Sequence, residues 1–167
     1  MIEPALTWAG MKHKGQVRKY TGEPYMTHPE AVYRLVSDHL GVAMTDTIGV
    51  SAILHDVVED TSATIEEVLE LFGETVAEYV WYLTKPPEFV GVRSIRKEHD
   101  RWRLSVAPEE VKIIKFFDIY HNASSIEKHD PELWEVWRRE SALLLLAMDI
   151  NNIGSIMEEY SEFVNSL

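Results

Sequence analysis

Apolar residues recur at steps of three and four along most of this chain, and no segment alternates convincingly with period two. Residues 3–14 read as a first helix. The stretch KGQVRKYTGEPYMTHP, 14–29, interrupts the pattern with Gly15, Gly22, Pro24 and Pro29 and reads as a loop. A helix resumes at about Pro29, with proline in its first turn and Ala31, Val32, Leu35 and Val36 at helical spacing, and Gly41 closes it. Thr45 or Asp46 caps the next helix, which carries Ile48, Ala52, Ile53 and His55. Thr64 and Glu67 have the spacing of a capping box and open a helix that Gly73 ends. Another runs from 74 to Thr84, ahead of Pro86-Pro87. Residues 93–104 and 108–125 keep the helical pattern, the second starting at Pro108. Asp130 and Pro131 begin a long helix carrying Leu133, Trp134, Trp137, Ala142 and Leu145, and a last helix spans 151–165. The predicted fold class is all-α, a compact helical bundle forming one domain over 1–167.

Composition narrows the chemistry. Apolar residues make up 46% of the 167, a globular proportion, and cysteine is absent. Disulfides and thiolate metal sites are therefore excluded, so any metal must take nitrogen and oxygen ligands. A net charge of −12 argues against DNA and other nonspecific nucleic-acid partners, and weakens tRNA as a substrate. Met1 to Gly10 lacks a basic start followed by an apolar run, and LLLLAM at 143–148 is too short to cross a bilayer. The expectation is a soluble, cytoplasmic protein with no membrane partner. Basic residues cluster at Lys12, Lys14, Arg18 and Lys19, where a small anion could bind. The group from Arg93 to Arg103 reads as a solvated helix face.

Against that background ILHDVVEDT, 53–61, stands out because it sets four ionisable side chains in an apolar segment. On a helix His55 neighbours Glu59, and Asp56 neighbours Glu59 and Asp60, while Val57 and Val58 turn to the core. An imidazole beside a carboxylate suits Mn, Fe, Zn or Mg. Taken alone, the His-Asp pair reads as a helix-surface pair. His28 alone, where the loop becomes a helix, reads as an entry cap. Asp118 alone, among Ile113, Ile114, Phe116, Phe117 and Ile119, reads as a hydrogen-bonded buried carboxylate. Together they give a His, His-Asp, Asp set from three helices, as one metal site in a bundle would need.

That order, His…His-Asp…Asp, resembles the HD-domain phosphohydrolases. HKGQVRKYTGEPYMTHP at 13–29, ILHDVVEDT at 53–61, LFGETVAEYVWYLTK at 71–85 and IKFFDIYHN at 114–122 resemble, more narrowly, the hydrolase domain of RelA/SpoT-type enzymes. The resemblance covers about residues 5–150. The expectation is a chain without a synthetase domain, most like the small stand-alone alarmone hydrolases, the metazoan SpoT homologues among them. The resemblance implies that His28, His55, Asp56 and Asp118 bind a manganese ion, or another divalent metal. It implies that Glu59 and Asp60 are the catalytic acids, that Arg18 and Lys19 lie near guanine and phosphates, and that Tyr25 and Asn122 line the nucleotide pocket. The implied reaction is attack at the 3′ phosphorus of (p)ppGpp, releasing pyrophosphate and GDP or GTP. Alternatives keep the metal and change the substrate: the 2′-phosphate of NADPH, or pyrophosphate on a tRNA 3′ end, as an antitoxin would remove it. A nucleotide-binding protein without turnover is a third reading.

The chain departs from the family pattern at Ile119, where a basic residue is usual, and in Ala123-Ser124-Ser125-Ile126. These changes leave the four ligands intact and bear on the choice of substrate. His13 reads as structural at the loop entrance, and His121 as support for Asp118 or an ordinary hydrogen-bonding residue. His39, His99 and His129 are expected to be exposed, and Trp134 and Trp137 to pack. Lys85 could reach an anion, although a helix C-terminus attracts lysine in any case.

Overall fold

The computed structural model describes residues 1–85 and 92–149. Among these the regular structure is helical, apart from an isolated bridge between Val17 and Pro24 inside the 14–29 loop. The chain divides between residues 89 and 90 into two compact units.

The first unit contains α1 (Ile2–Lys12), α2 (Thr27–Leu40), a 3-10 turn (Gly41–Ala43), α3 (Asp46–Leu54), α4 (Val57–Asp60), α5 (Ile65–Phe72) and α6 (Glu74–Leu83). α3 is its centre. Every residue from Ile48 to Leu54 is buried, and α3 packs against α1, α2 and α6. Gly49 permits this crowding, because a Cβ there would stand 2.7 Å from Ile2 Cδ1 and 3.0 Å from the Tyr33 ring. Ala5, Ala9, Val50, Ile53, Leu54, Val57, Val68, Val76 and Val80 share the core. α2 buries His28, Val32 and Val36, four residues apart on one stripe, so His28 sits on the core face of its helix.

Local signals explain the boundaries. Thr45 accepts a hydrogen bond from Ile48 N at 3.3 Å and caps α3. The Thr64–Glu67 capping box is present in both directions, and Glu67 also pairs with Lys12 at 2.8 Å, tying α5 to α1. Gly73, at φ 89°, joins α5 to α6 through a conformation open to glycine. One expectation fails. The predicted helix through His55 stops at Leu54, and the chain restarts as α4 with Asp56 at φ −103°, ψ −6°. His55, at this break, points its Nε2 toward His28. α2 also begins earlier than expected, so His28 lies within its first turn rather than at its entrance.

The second unit contains α7 (Arg93–Ser105), α8 (Glu109–His129) and α9 (Pro131–Met148), with α9 packed on both α7 and α8. α8 runs four residues past its predicted end. Asp130 caps α9 through Leu133 N at 3.1 Å, with Pro131 in the first turn, as its sequence implies. Trp134 and Trp137 stack on one another at 5.6 Å. Arg93 and Lys97 of α7 both reach Glu140 of α9, at 2.6 and 3.5 Å. Arg103 is 2% exposed and is held beside Asp100 within α7. Pro86-Pro87 and the predicted last helix, 151–165, lie outside the described residues.

Candidate active site

In the first unit three predicted ligands converge. α2 delivers His28 on its buried stripe, and the break after α3 delivers His55 and Asp56. His28 Nε2 lies 3.2 Å from His55 Nε2, and Asp56 Oδ2 lies 3.1 Å from His55 Nε2 and 3.5 Å from His28 Nε2. Both imidazoles are fully buried. His55 Nδ1 bonds to the Ala52 carbonyl at 2.8 Å. A carbonyl only accepts, so Nδ1 carries the proton and Nε2 presents its lone pair toward His28 and Asp56.

The spacing suits a cation. Ligand atoms about 2.1 Å from a metal stand about 3.0 Å apart across a right angle and about 3.4 Å across a tetrahedral one. The three observed separations, 3.1, 3.2 and 3.5 Å, lie within about 0.1 Å of that range. Two nitrogen ligands and one oxygen form the borderline-to-hard donor set of divalent first-row metals and magnesium. The local charge agrees. The Tyr25 hydroxyl lies 2.7 Å from Asp56 Oδ2 and 2.5 Å from Asp60 Oδ2, yet has one proton to give. Burial, then the charges and hydrogen bonds of Asp56 and Asp60, hold this phenol far above its ordinary pKa, so it remains a donor. Desolvation also pushes the Asp60 carboxyl above the usual range. The charges of Asp56 and Glu59 add to this, against the lowering effect of the Tyr25 hydrogen bond and of His13. The Asp56 carboxylate beside two buried imidazoles, with the Asp60 carboxyl sharing its Tyr25 hydroxyl, calls for a positive partner.

α4 supplies the two predicted catalytic acids, and Asp60 N bonds back to Asp56 O at 2.9 Å. Glu59 is held by Lys85, with Nζ 2.5 Å from Oε1 and the backbone N–H 3.4 Å from Oε2. Asp60 borders a cleft of about 310 Å³ lined by Gln16, Val17, Tyr25 and Asp60. Arg18 places its guanidinium 5.9 Å from the Tyr25 ring centre, and Lys19 lies against Tyr20 at 4.6 Å.

The second unit holds the other two predicted residues. Asp118 is 5% exposed in the middle of α8. Lys115 donates to its Oδ2 and Asn122 to its Oδ1, both at 2.7 Å. Asn122, expected in a nucleotide pocket, thus spends its amide on the carboxylate one turn before it. Ile119 is buried at 4% exposure.

Sequence reasoning undervalued several residues. His13 is buried and stacks on Tyr25 at 4.6 Å, with Nδ1 on Gln16 Oε1 at 2.7 Å. Gln16 Nε2 in turn donates to the Asp60 carbonyl at 2.7 Å. The HKGQ spacing is the one signal that could have linked His13 to Gln16. Lys115 was legible from its position three residues before Asp118. His129 is exposed as expected, whereas His39 and His99 are half-buried.

The family model described as an HD domain matches residues 5–148, running through both units. The chain belongs to the HD-domain family. This HD-domain chain is 34% identical over 138 residues to guanosine-3′,5′-bis(diphosphate) 3′-pyrophosphohydrolase MESH1 of Danio rerio, covering 80% of this chain and 73% of that protein. The Xenopus tropicalis MESH1 is 32% identical over 142 residues, covering 83% and 76%. A GTP pyrophosphokinase of Myxococcus xanthus is 32% identical over 139 residues, 79% of this chain but 18% of that enzyme. The HD-domain chain therefore spans less than a fifth of that longer relative. A solved structure, described as a metazoan ortholog of SpoT that hydrolyzes ppGpp and plays a role in starvation responses, superposes with a TM-score of 0.80. Its sequence identity is 25%, covering 99% of this chain and 94% of that one. No helix among the described residues is long and apolar enough to cross a membrane.

Proposed function

We propose that this chain is a (p)ppGpp 3′-pyrophosphohydrolase that uses a divalent metal, manganese by preference, and acts as one functional domain on a small nucleotide in the cytoplasm. The observation that carries the reading is the convergence of His28, His55 and Asp56 directly ahead of Glu59 and Asp60. The relatives named MESH1 support the substrate, since they are matched over about three quarters of their length.

His28, His55 and Asp56 would hold the metal, with Asp118 as the fourth ligand. The buried setting of Asp118 and its orienting bonds from Lys115 and Asn122 support that role. A divalent ion supplies Lewis acidity, polarising a phosphoryl oxygen and acidifying water. Glu59 and Asp60 orient the attacking water and take its proton. The water oxygen joins the 3′ phosphorus and the bond from that phosphorus to the ribose oxygen breaks; the ribose oxygen keeps the electron pair and takes up a proton to become the 3′ hydroxyl, and pyrophosphate is released. Arg18 offers a planar face for guanine, Lys19 a point charge for phosphate, and Tyr25 and Asn122 border the nucleotide.

The test is product analysis on metal-stripped protein given ppGpp with and without Mn, with NADPH in parallel. GDP and pyrophosphate forming only with Mn is the expected result. Phosphate from NADPH with no ppGpp turnover would transfer the metal chemistry to the other substrate.

A further inference from the structure

We propose that Lys85 is a positioning residue that fixes the Glu59 carboxylate for catalysis. The inference rests on the reading of Glu59 as a catalytic acid given above.

α4 is four residues long, too short for its side chains to brace one another, and Glu59 lies toward solvent. Its neighbour Asp60 is steadied from elsewhere, by Tyr25 at the carboxylate and Gln16 at the carbonyl. Among the described residues Glu59 receives the equivalent support from one residue. Both of its oxygens are engaged by Lys85, Oε1 by the ammonium and Oε2 by the backbone N–H. The end of α6 makes this two-point grip possible. Thr84 closes the helix, donating from both N and Oγ1 to the Val80 carbonyl at 2.9 and 2.8 Å, and then turns extended at ψ 131°. Thr84 is 6% exposed, so the turn is anchored in the core. Lys85 thus leaves a fixed point with its N–H and its side chain both directed at Glu59. A lysine drawn only to the negative end of α6 would seek the last carbonyls. This one reaches a carboxylate 26 residues away. Rates depend steeply on the placement of groups near the reacting atoms, so a free-swinging Glu59 loses turnover without loss of substrate binding.

The experiment compares Lys85→Met, Lys85→Arg, Glu59→Gln and the Lys85→Met/Glu59→Gln double variant in Mn-dependent ppGpp hydrolysis. Lys85→Met should lower kcat at least about tenfold and change KM by less than about twofold. Lys85→Arg should recover most of the loss. In the Glu59→Gln background Lys85→Met should add nothing, since both changes remove one device. The 15N amide and Nζ resonances of Lys85 should shift in Glu59→Gln, a readout that needs no turnover. An unchanged kcat, a rise in KM alone, or a full Lys85→Met effect in the Glu59→Gln background would overturn the proposal, the last two marking Lys85 as a substrate contact. A wild-type protein inert toward ppGpp would defeat the functional reading instead. The resonances would then decide whether Lys85 grips Glu59, and unmoved signals would overturn the grip as well.

Discussion

The two units steady their acidic groups in opposite ways. In α8, Asp118 is braced by its own helix, with Lys115 three residues before it and Asn122 four after. Around α4 the side-chain braces come from distant segments. Tyr25 reaches Asp56 across 31 residues, Lys85 reaches Glu59 across 26, and Gln16 reaches the Asp60 carbonyl across 44. A continuous helix fixes its side chains by geometry alone. A four-residue turn must borrow rigidity from the rest of the fold. Support of the first kind should fail gradually, one bond at a time, and support of the second kind abruptly.

The hardest test of that contrast is Asp56→Ala. It removes a proposed metal ligand and one acceptor of Tyr25 together, so bound metal and ppGpp hydrolysis should both fall to background. Metal analysis beside a pyrophosphate assay reads both, and full Mn-dependent activity would refute the ligand assignment. Next comes Tyr25→Phe, which keeps the ring that stacks on His13 but removes the hydroxyl between Asp56 and Asp60. Loss of such support costs about 10–100-fold in metal affinity or activity, and the upper end is expected here. Asn122→Ala should sit at the lower end of the same range, because Lys115 still holds Asp118. If it proved more damaging than Tyr25→Phe, the contrast between borrowed and local support would be wrong.

The smallest effect belongs to the Arg93–Glu140 pair, far in sequence from either group of acids. Burial alone would raise the Glu140 carboxyl, but the hydrogen bond from Arg93 and the charge of Lys97 outweigh it and pull the carboxyl below its usual range. A depressed carboxyl stabilises the fold above its ordinary pKa, and that contribution disappears as the pH falls through the lowered value. Arg93 is half-exposed, so the contribution is under about 1 kcal/mol. Arg93→Ala should therefore lower the urea midpoint slightly at neutral pH and leave it unchanged once Glu140 is protonated.

This contrast also explains what the sequence could and could not reveal. Features that depend on near neighbours were legible: the Thr64–Glu67 box, the Asp130 cap with Pro131, and a carboxylate among the apolar residues of α8. His28 needed only the stripe shared with Val32 and Val36. The break at His55-Asp56 was hidden, because Ile53 and Leu54 before it and Val57 and Val58 after it maintain an apolar pattern with no glycine or proline to interrupt it. The long-range braces were hidden for a different reason. Gln16 and Lys85 acquire their roles from partners that only the folded chain brings near, and no periodicity encodes a distance of 44 residues.

α3 carries a consequence for the order in which the molecule assembles. Its residues from Ile48 to Leu54 are all buried, and it touches α1, α2 and α6. A helix with that many tertiary neighbours is the natural nucleus of a folding transition state. His55 follows it directly, and His28 lies on α2, one of its partners. A conservative thinning of α3 such as Ile53→Val should therefore slow refolding more than it speeds unfolding, as stopped-flow kinetics would record. The imidazoles would then meet in the same event that commits the chain to its native topology, before the peripheral helices finish docking.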